Sequence, residues 1–185
     1  MRRQFLPALV VFLFFTALTG LAYPLVVTGA AQIAFPSRSD GSLIERDGRV
    51  VGSKLIAQAF EGDRYFHPRA SAAGDGYDAM SSSASNLGPL SEELLAAVEE
   101  RRQAYDEANG AEAPIDALTA SASGLDPHIS PENARLQAAR VARVRGVPVA
   151  DVLDLVDDHT EGRSLGFLGE PAVNVLELNL ALDEA

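Results

Sequence analysis

Cysteine is missing from all 185 residues, and lysine occurs once, at Lys54. The first absence excludes a disulfide framework and thiolate zinc ligands; it permits an oxidising compartment without establishing one, because disulfides there are an option rather than a requirement. The second excludes a phosphate-binding P-loop, whose lysine must follow glycine and precede serine or threonine, whereas Lys54 stands between Ser53 and Leu55. Histidine is almost as scarce. His67, His128 and His159 are dispersed along the chain, and a cysteine-free zinc site would need them to converge with carboxylates, so no metal site is expected. No His-Glu-x-x-His zinc helix occurs. Asp75, Asp78 and Ser81 to Ser83 offer hard oxygens but not the ordered spacing of an EF-hand, which favours a plain loop. Asp126-Pro127 and Ser130-Pro131 read as a turn leading into a helix cap, not as the parts of a catalytic pair.

Charge is what residues 4–37 lack. No acidic or basic side chain lies between Arg3 and Arg38, and Leu, Val, Phe, Ala and Gly dominate from Phe5 to Phe35. A bilayer core of about 30 Å needs roughly 20 apolar helical residues, so the stretch from Ala8 to about Ala31 suffices to span it once. A cleaved signal peptide is the competing reading, with Arg2 and Arg3 as its positive start and Thr28 to Ala31 as small residues for a peptidase. Its apolar region is typically about 7 to 15 residues, and this run goes well past that. The expected arrangement is therefore a permanent anchor in residues 1–35, kinked or ended near Pro24, and a globular domain in residues 36–185. Arg2 and Arg3 place the N-terminus in the cytoplasm by the positive-inside bias, which sends the domain to the extracytoplasmic, periplasmic side.

All 26 acidic residues but only 13 of the 15 basic ones lie after residue 35, leaving that region at −13 with histidine neutral. Nucleic acid is excluded as a partner, because a polyphosphate backbone is bound by concentrated Lys and Arg. The negative surface favours solubility, with cation accumulation as the sharper alternative.

About 150 residues make one domain, and its pattern is α+β. Leu43 to Glu45 and Arg49 to Val51, joined through Asp47-Gly48, predict a β-hairpin. Ser53 to Phe60 is expected to be a short helix, after a linker from Ser37 to Ser42. From Asp63 to Pro89 periodicity gives way to Gly, Ser, Pro, Asn and Asp, a loop longer than compact domains usually carry and so expected to contact a partner. Ser91 caps a helix ending at Asn109-Gly110, and Ala111 to Ser123 wraps the surface. Ser130 and Pro131 start a second helix that Gly146 stops. Pro148 to His159 forms a third, and the alternation of Leu176, Leu178, Leu180 and Leu182 predicts a final strand over Val173 to Leu182.

Several segments, in order along nearly the whole chain, resemble the C subunit of the bacterial potassium-transporting P-type ATPase, the Kdp complex. They are the anchor, Val50 to Ser53, Tyr65-Phe66-His67-Pro68-Arg69, Ser85-Asn86-Leu87-Gly88-Pro89, Asp126-Pro127-His128-Ile129-Ser130-Pro131, and Val173 to Asn179. The resemblance implies a non-catalytic accessory subunit of an ATP-driven potassium uptake complex in the inner membrane. Its partners would be a channel-like K⁺-binding subunit, an ATP-hydrolysing P-type subunit and a small membrane peptide, with lipid around the anchor. K⁺ is the complex's transported ion, and no firmly bound cofactor is implied for this chain. The family is described as a catalytic chaperone that raises ATP affinity, partly through a Ser-Gly-Gly-Ser-like stretch. That stretch matches Ser82, Ser83, Ala84 and Ser85 here, and with Asn86 it marks the implied nucleotide or partner contact. Glycine allows the closest backbone approach to phosphate, and both glycines are replaced. Partner contacts are expected at Tyr65, Phe66, His67, Arg69, Leu87, Asp126, Ser130, Asn174 and Asn179. The alternative is a stand-alone anchored or secreted binding protein or hydrolase.

Overall fold

The structure, a computed structural model, describes residues 2–185, with side chains from residue 3. The charge-free segment is helical throughout: α1 (Arg2–Ala17), a π turn (Leu18–Ala22) and α2 (Tyr23–Ala34) form a continuous rod. From Arg3 to Ala34 it is long and apolar enough to cross a membrane, at about 48 Å for its 32 residues. Pro24 does not end this helix: it stands at the start of α2, and the π turn lies just before it. Tyr23 donates to the Leu18 carbonyl, one residue further back than in an α-helix, and the wider turn accommodates a proline that has no N–H to give.

A short helix, α3 (Pro36–Ser39), occupies the expected linker. Strands β1 (Leu43–Arg46) and β2 (Arg49–Ser53) form the predicted hairpin. Its turn residues Asp47 and Gly48 have φ of 52° and 72°, the paired positive angles that match the twist of the flanking strands.

Two compact units result, one ending at Val51 and the other covering Gly52–Ala185. In the second unit the helix expected over Ser53 to Phe60 does not form: Ser53 ends β2, and Lys54 to Phe60 hold a turn, an isolated bridge and irregular chain. The Ser53 hydroxyl accepts the Leu55 N–H and the Ala57 N–H donates to the Leu125 carbonyl, so the backbone groups a helix would pair within itself are used elsewhere. The unit then holds α4 (Glu92–Asn109), α5 (Ile115–Leu118), β3 (His128–Ile129), α6 (Pro131–Arg145), α7 (Val149–Asp158), β4 (Thr160–Glu161), β5 (Ala172–Asn174) and α8 (Val175–Glu184). Three of the helices begin at side-chain caps: Ser91 accepts from Leu94, Ser130 from Asn133, and Asn174 from Glu177. Gly110 and Gly146 end α4 and α6 in the left-handed conformation, as C-terminal glycines do.

The predicted final strand is corrected to three residues of β5 followed by helix α8. Asn174 caps that helix, and Val175, Leu176, Leu178, Asn179 and Leu182 are buried along it, a helical spacing. Strand order is β3-β5-β4, antiparallel, with His128 opposite Asn174 and Ile129 and Thr160 both opposite Val173. Phe66, Ile129, Ala138, Val141, Val156, Val173 and Leu178 lie in the core that this small sheet shares with α6, α7 and α8.

Candidate interaction surface

The segment from Asp63 to Leu90 contains no helix or strand, yet its first part is as tightly held as a strand. Phe66 is fully buried, its N–H donating to Asn179 Oδ1 at 2.8 Å and its carbonyl accepting from Asn179 Nδ2 at 2.9 Å. One residue on, Gln137 does the same for His67, accepting from the N–H at 2.8 Å and donating to the carbonyl at 3.1 Å. Two side-chain amides, from α8 and α6, thus satisfy a stretch of backbone that lacks a neighbouring strand.

Gln137 belongs to a buried polar chain along one face of α6. Arg140, 1% exposed, donates to Gln137 Oε1 at 2.8 Å, Asn109 Oδ1 at 2.9 Å and the carbonyls of Asp63 and Tyr65 at 2.6 and 3.0 Å. Asn133 Oδ1 accepts from Gln137 and from the Tyr105 hydroxyl, and Asn133 Nδ2 donates to Asp116. Asp116 also accepts from the Ser130 N–H and hydroxyl. Burial lowers the pKa of Arg140 and, with the Arg140 charge beside it, that of His67; burial raises the Tyr105 phenol far above its ordinary value. Asn133, Gln137 and Arg140 were not foreseen as scaffold residues. The signal was present, since they share a helical stripe (i, i+4, i+7) with the apolar side chains around them.

Tyr65 closes the start of the segment. The guanidiniums of Arg64 and Arg145 lie 5.3 and 5.1 Å from its ring centroid, and its hydroxyl donates to Asp183 at 3.1 Å. At the other end Arg69 donates to Asp126 at 3.1 Å and to the Thr119 and Ala120 carbonyls, although its Nε is buried without a hydrogen-bond partner among the described residues. Asp126 Oδ1 also accepts the His128 N–H at 3.0 Å and lies 3.6 Å from the ring Nδ1. The nearby His128 ring, with the His128 N–H and Arg69, holds Asp126 below the usual carboxylate range against the opposing effect of burial, and Asp126 in turn raises His128 above the usual histidine value.

These shifts set a pH window. A raised His128 contributes stability that is complete below about pH 6.5, the unfolded histidine value, and is lost as pH rises through its folded pKa; a depressed Asp126 contributes above about pH 4 and loses it as pH falls through its own. His67, shifted downwards, acts against the folded state in acid. The difference between wild type and His128→Gln isolates the pair: its melting-temperature gap should be widest between about pH 4 and 6.5 and narrow as pH rises through the raised His128 pKa, and a gap independent of pH would contradict the assignment.

Of the expected contact residues, Phe66, Asn174 and Asn179 are thus enclosed by the domain, with Asn174 Nδ2 donating to the Lys54 carbonyl. Tyr65, His67, Arg69, Asp126 and Ser130 are half-buried braces. Ser82, Ser83, Ser85 and Asn86 are exposed and Leu87 half-exposed. Gly124 sets the position of this outer stretch: at φ +68°, a Cβ there would meet the Ser83 carbonyl at 2.6 Å and the Ala73 nitrogen at 2.7 Å, so only glycine lets the two strands of chain approach. The Ser83 N–H and Ser82 hydroxyl both donate to the Ser123 carbonyl, the Ser83 hydroxyl and Asn86 Nδ2 to the Ala84 carbonyl. With those donors used on the chain's own backbone and no glycine within Ser82 to Ser85, the stretch offers a phosphate fewer donors and a less open backbone than a glycine-rich loop would.

The family model described as "K+-transporting ATPase, c chain" matches residues 5–184. The potassium-transporting ATPase KdpC subunit of Mycobacterium tuberculosis (strain H37Rv) is 58% identical over 187 residues, covering 99% of each chain. That of Rhodospirillum rubrum is 57% identical, covering all of this chain and 97% of its own, and that of Kineococcus radiotolerans 58%, covering 99% and 94%.

Proposed function

The chain belongs to the KdpC family, an accessory and non-catalytic subunit of the K⁺-transporting ATPase complex, and we propose that it joins that complex through the exposed segment Ser81 to Leu90, with its globular unit outside the cytoplasm. The observation that carries this is the contrast within one loop. Tyr65 to Arg69 is fastened to the core by buried amides, while Ser82 to Asn86 is exposed yet held in place from behind by Ser123 and Gly124. A segment pre-ordered without being covered loses little entropy when a partner covers it.

The expected partners are the channel-like K⁺-binding subunit first, then the ATP-hydrolysing subunit and the small membrane peptide. The N-terminal helix anchors the chain in the inner membrane with Arg2 and Arg3 on the cytoplasmic side. An effect on the hydrolytic subunit's ATP affinity would then pass through the assembly, since Ser82 to Asn86 is less suited to phosphate than a glycine-rich loop and would lie across the membrane from cytoplasmic ATP.

Because the chain has no cysteine, one introduced thiol tests both parts. Ser85→Cys should react with a membrane-impermeant maleimide in intact spheroplasts when the chain is made alone, and lose most of that reactivity when the partner subunits are co-expressed. Labelling only after lysis would reverse the orientation; undiminished labelling in the assembled complex would remove the segment from the interface.

A further inference from the structure

The connection between β4 and β5 is exposed at every residue from 161 to 171, yet it is neither polar nor loose. Arg163 and Glu170 pair across its base at 2.6 Å, and the Gly166 and Leu168 N–H groups donate to the carbonyls of Arg163 and Ser164 at 3.0 and 2.9 Å. The tip so formed carries Leu165, Phe167 and Leu168, which are 82%, 69% and 50% exposed. Leu165 has φ of 54°, a conformation that a bulky residue adopts only when its surroundings impose it.

We propose that this tip inserts into the interfacial layer of an electrically neutral lipid bilayer. The inference rests on reading the N-terminal helix as a membrane anchor: a unit tethered to a bilayer meets that bilayer at high effective concentration, so a small apolar contact suffices. Size argues against a protein as the occupant. A stable interface takes roughly 800 Å² from each partner, more than three side chains on a convex tip provide, whereas a bilayer requires no matching shape. Charge selects the lipid class. Arg163 is paired, and Glu161, Asp157 and Asp158 lie close in sequence, so there is no cationic patch to hold anionic headgroups.

The sequence has no tryptophan, which makes Phe167→Trp a sole fluorescent reporter at an exposed position. With the full chain reconstituted in dioleoylphosphatidylcholine vesicles, F167W emission should shift to the blue and be quenched by brominated acyl chains, whereas the reporter Met80→Trp, at a 93% exposed site, should stay red and unquenched. Adding Leu165→Ser and Leu168→Ser to F167W should return its emission to that of water. Red, unquenched F167W emission in chain that resists alkaline extraction overturns the insertion and leaves the anchor standing, and quenching unchanged by the two serines overturns it as well. Chain that is extracted at alkaline pH overturns the anchor, and the insertion with it.

Discussion

Replacing Arg140 with methionine should destabilise the globular unit by about 3–5 kcal/mol, because several buried neutral acceptors lose a charged donor together. The guanidinium serves four acceptors at once: the side chains of Gln137 and Asn109 and the carbonyls of Asp63 and Tyr65. Methionine fills much of the volume and supplies no donor, so these oxygens are left in a site from which water is excluded, at about 1–3 kcal/mol for each that finds no substitute. Against a total stability of about 5–15 kcal/mol for an ordinary domain, that is a large share. Lysine should recover only a minor part, because a point charge on a flexible stem cannot reproduce a planar fork directed at two side chains and two carbonyls. Urea midpoints of the full chain in mild detergent measure both variants. A loss under about 1 kcal/mol for Arg140→Met would mean that the chain of polar contacts on α6 is not what holds α4 and the Asp63 to Tyr65 backbone together.

Asn179→Leu should cost about 2–4 kcal/mol by a different route, stranding the N–H and the carbonyl of the buried Phe66 together. Leucine is near enough in size that the loss reads hydrogen bonding rather than a cavity. Hydrogen exchange gives the sharper readout: the Phe66 amide should lose its protection while amides in the middle of α6 keep theirs at low denaturant. Asn179→Asp separates the two halves of the bond, since a carboxylate still accepts from the Phe66 N–H but repels its carbonyl. If the Phe66 amide stays protected in Asn179→Leu, the backbone there is held by packing alone.

Elements with local signals were legible in the sequence. The Asp47-Gly48 turn, the caps Ser91 and Ser130 with Pro131, and the stops Gly110 and Gly146 need only their own neighbours, and each stands where the pattern put it. The failures occurred where distant partners decide. Leu176, Leu178, Leu180 and Leu182 alternate like a strand, but the buried set on α8 includes Asn179. Because that member is polar, the helical stripe was hidden from a reading that counted only apolar residues. Ser53 to Phe60 looked helical until Leu125, far along the chain, took the Ala57 N–H. The loop from Asp63 onwards was recognised, but the residues that fasten its start lie 70 to 113 positions away, a separation that no window over the sequence bridges. Phe66, Asn174 and Asn179 stood out as contact residues through their motifs, and the fold uses them inside.

The π turn at Leu18–Ala22 bears on how the N-terminal apolar helix faces its neighbours. One additional residue in a turn rotates everything beyond it by about 100° relative to an unbroken helix. A contact stripe traced upward from Leu6 and Leu13 at regular spacing therefore reappears in α2 one position later than uninterrupted counting would place it. The two halves of the apolar rod therefore present their stripes about 100° apart, enough for one helix to lie against two different neighbours.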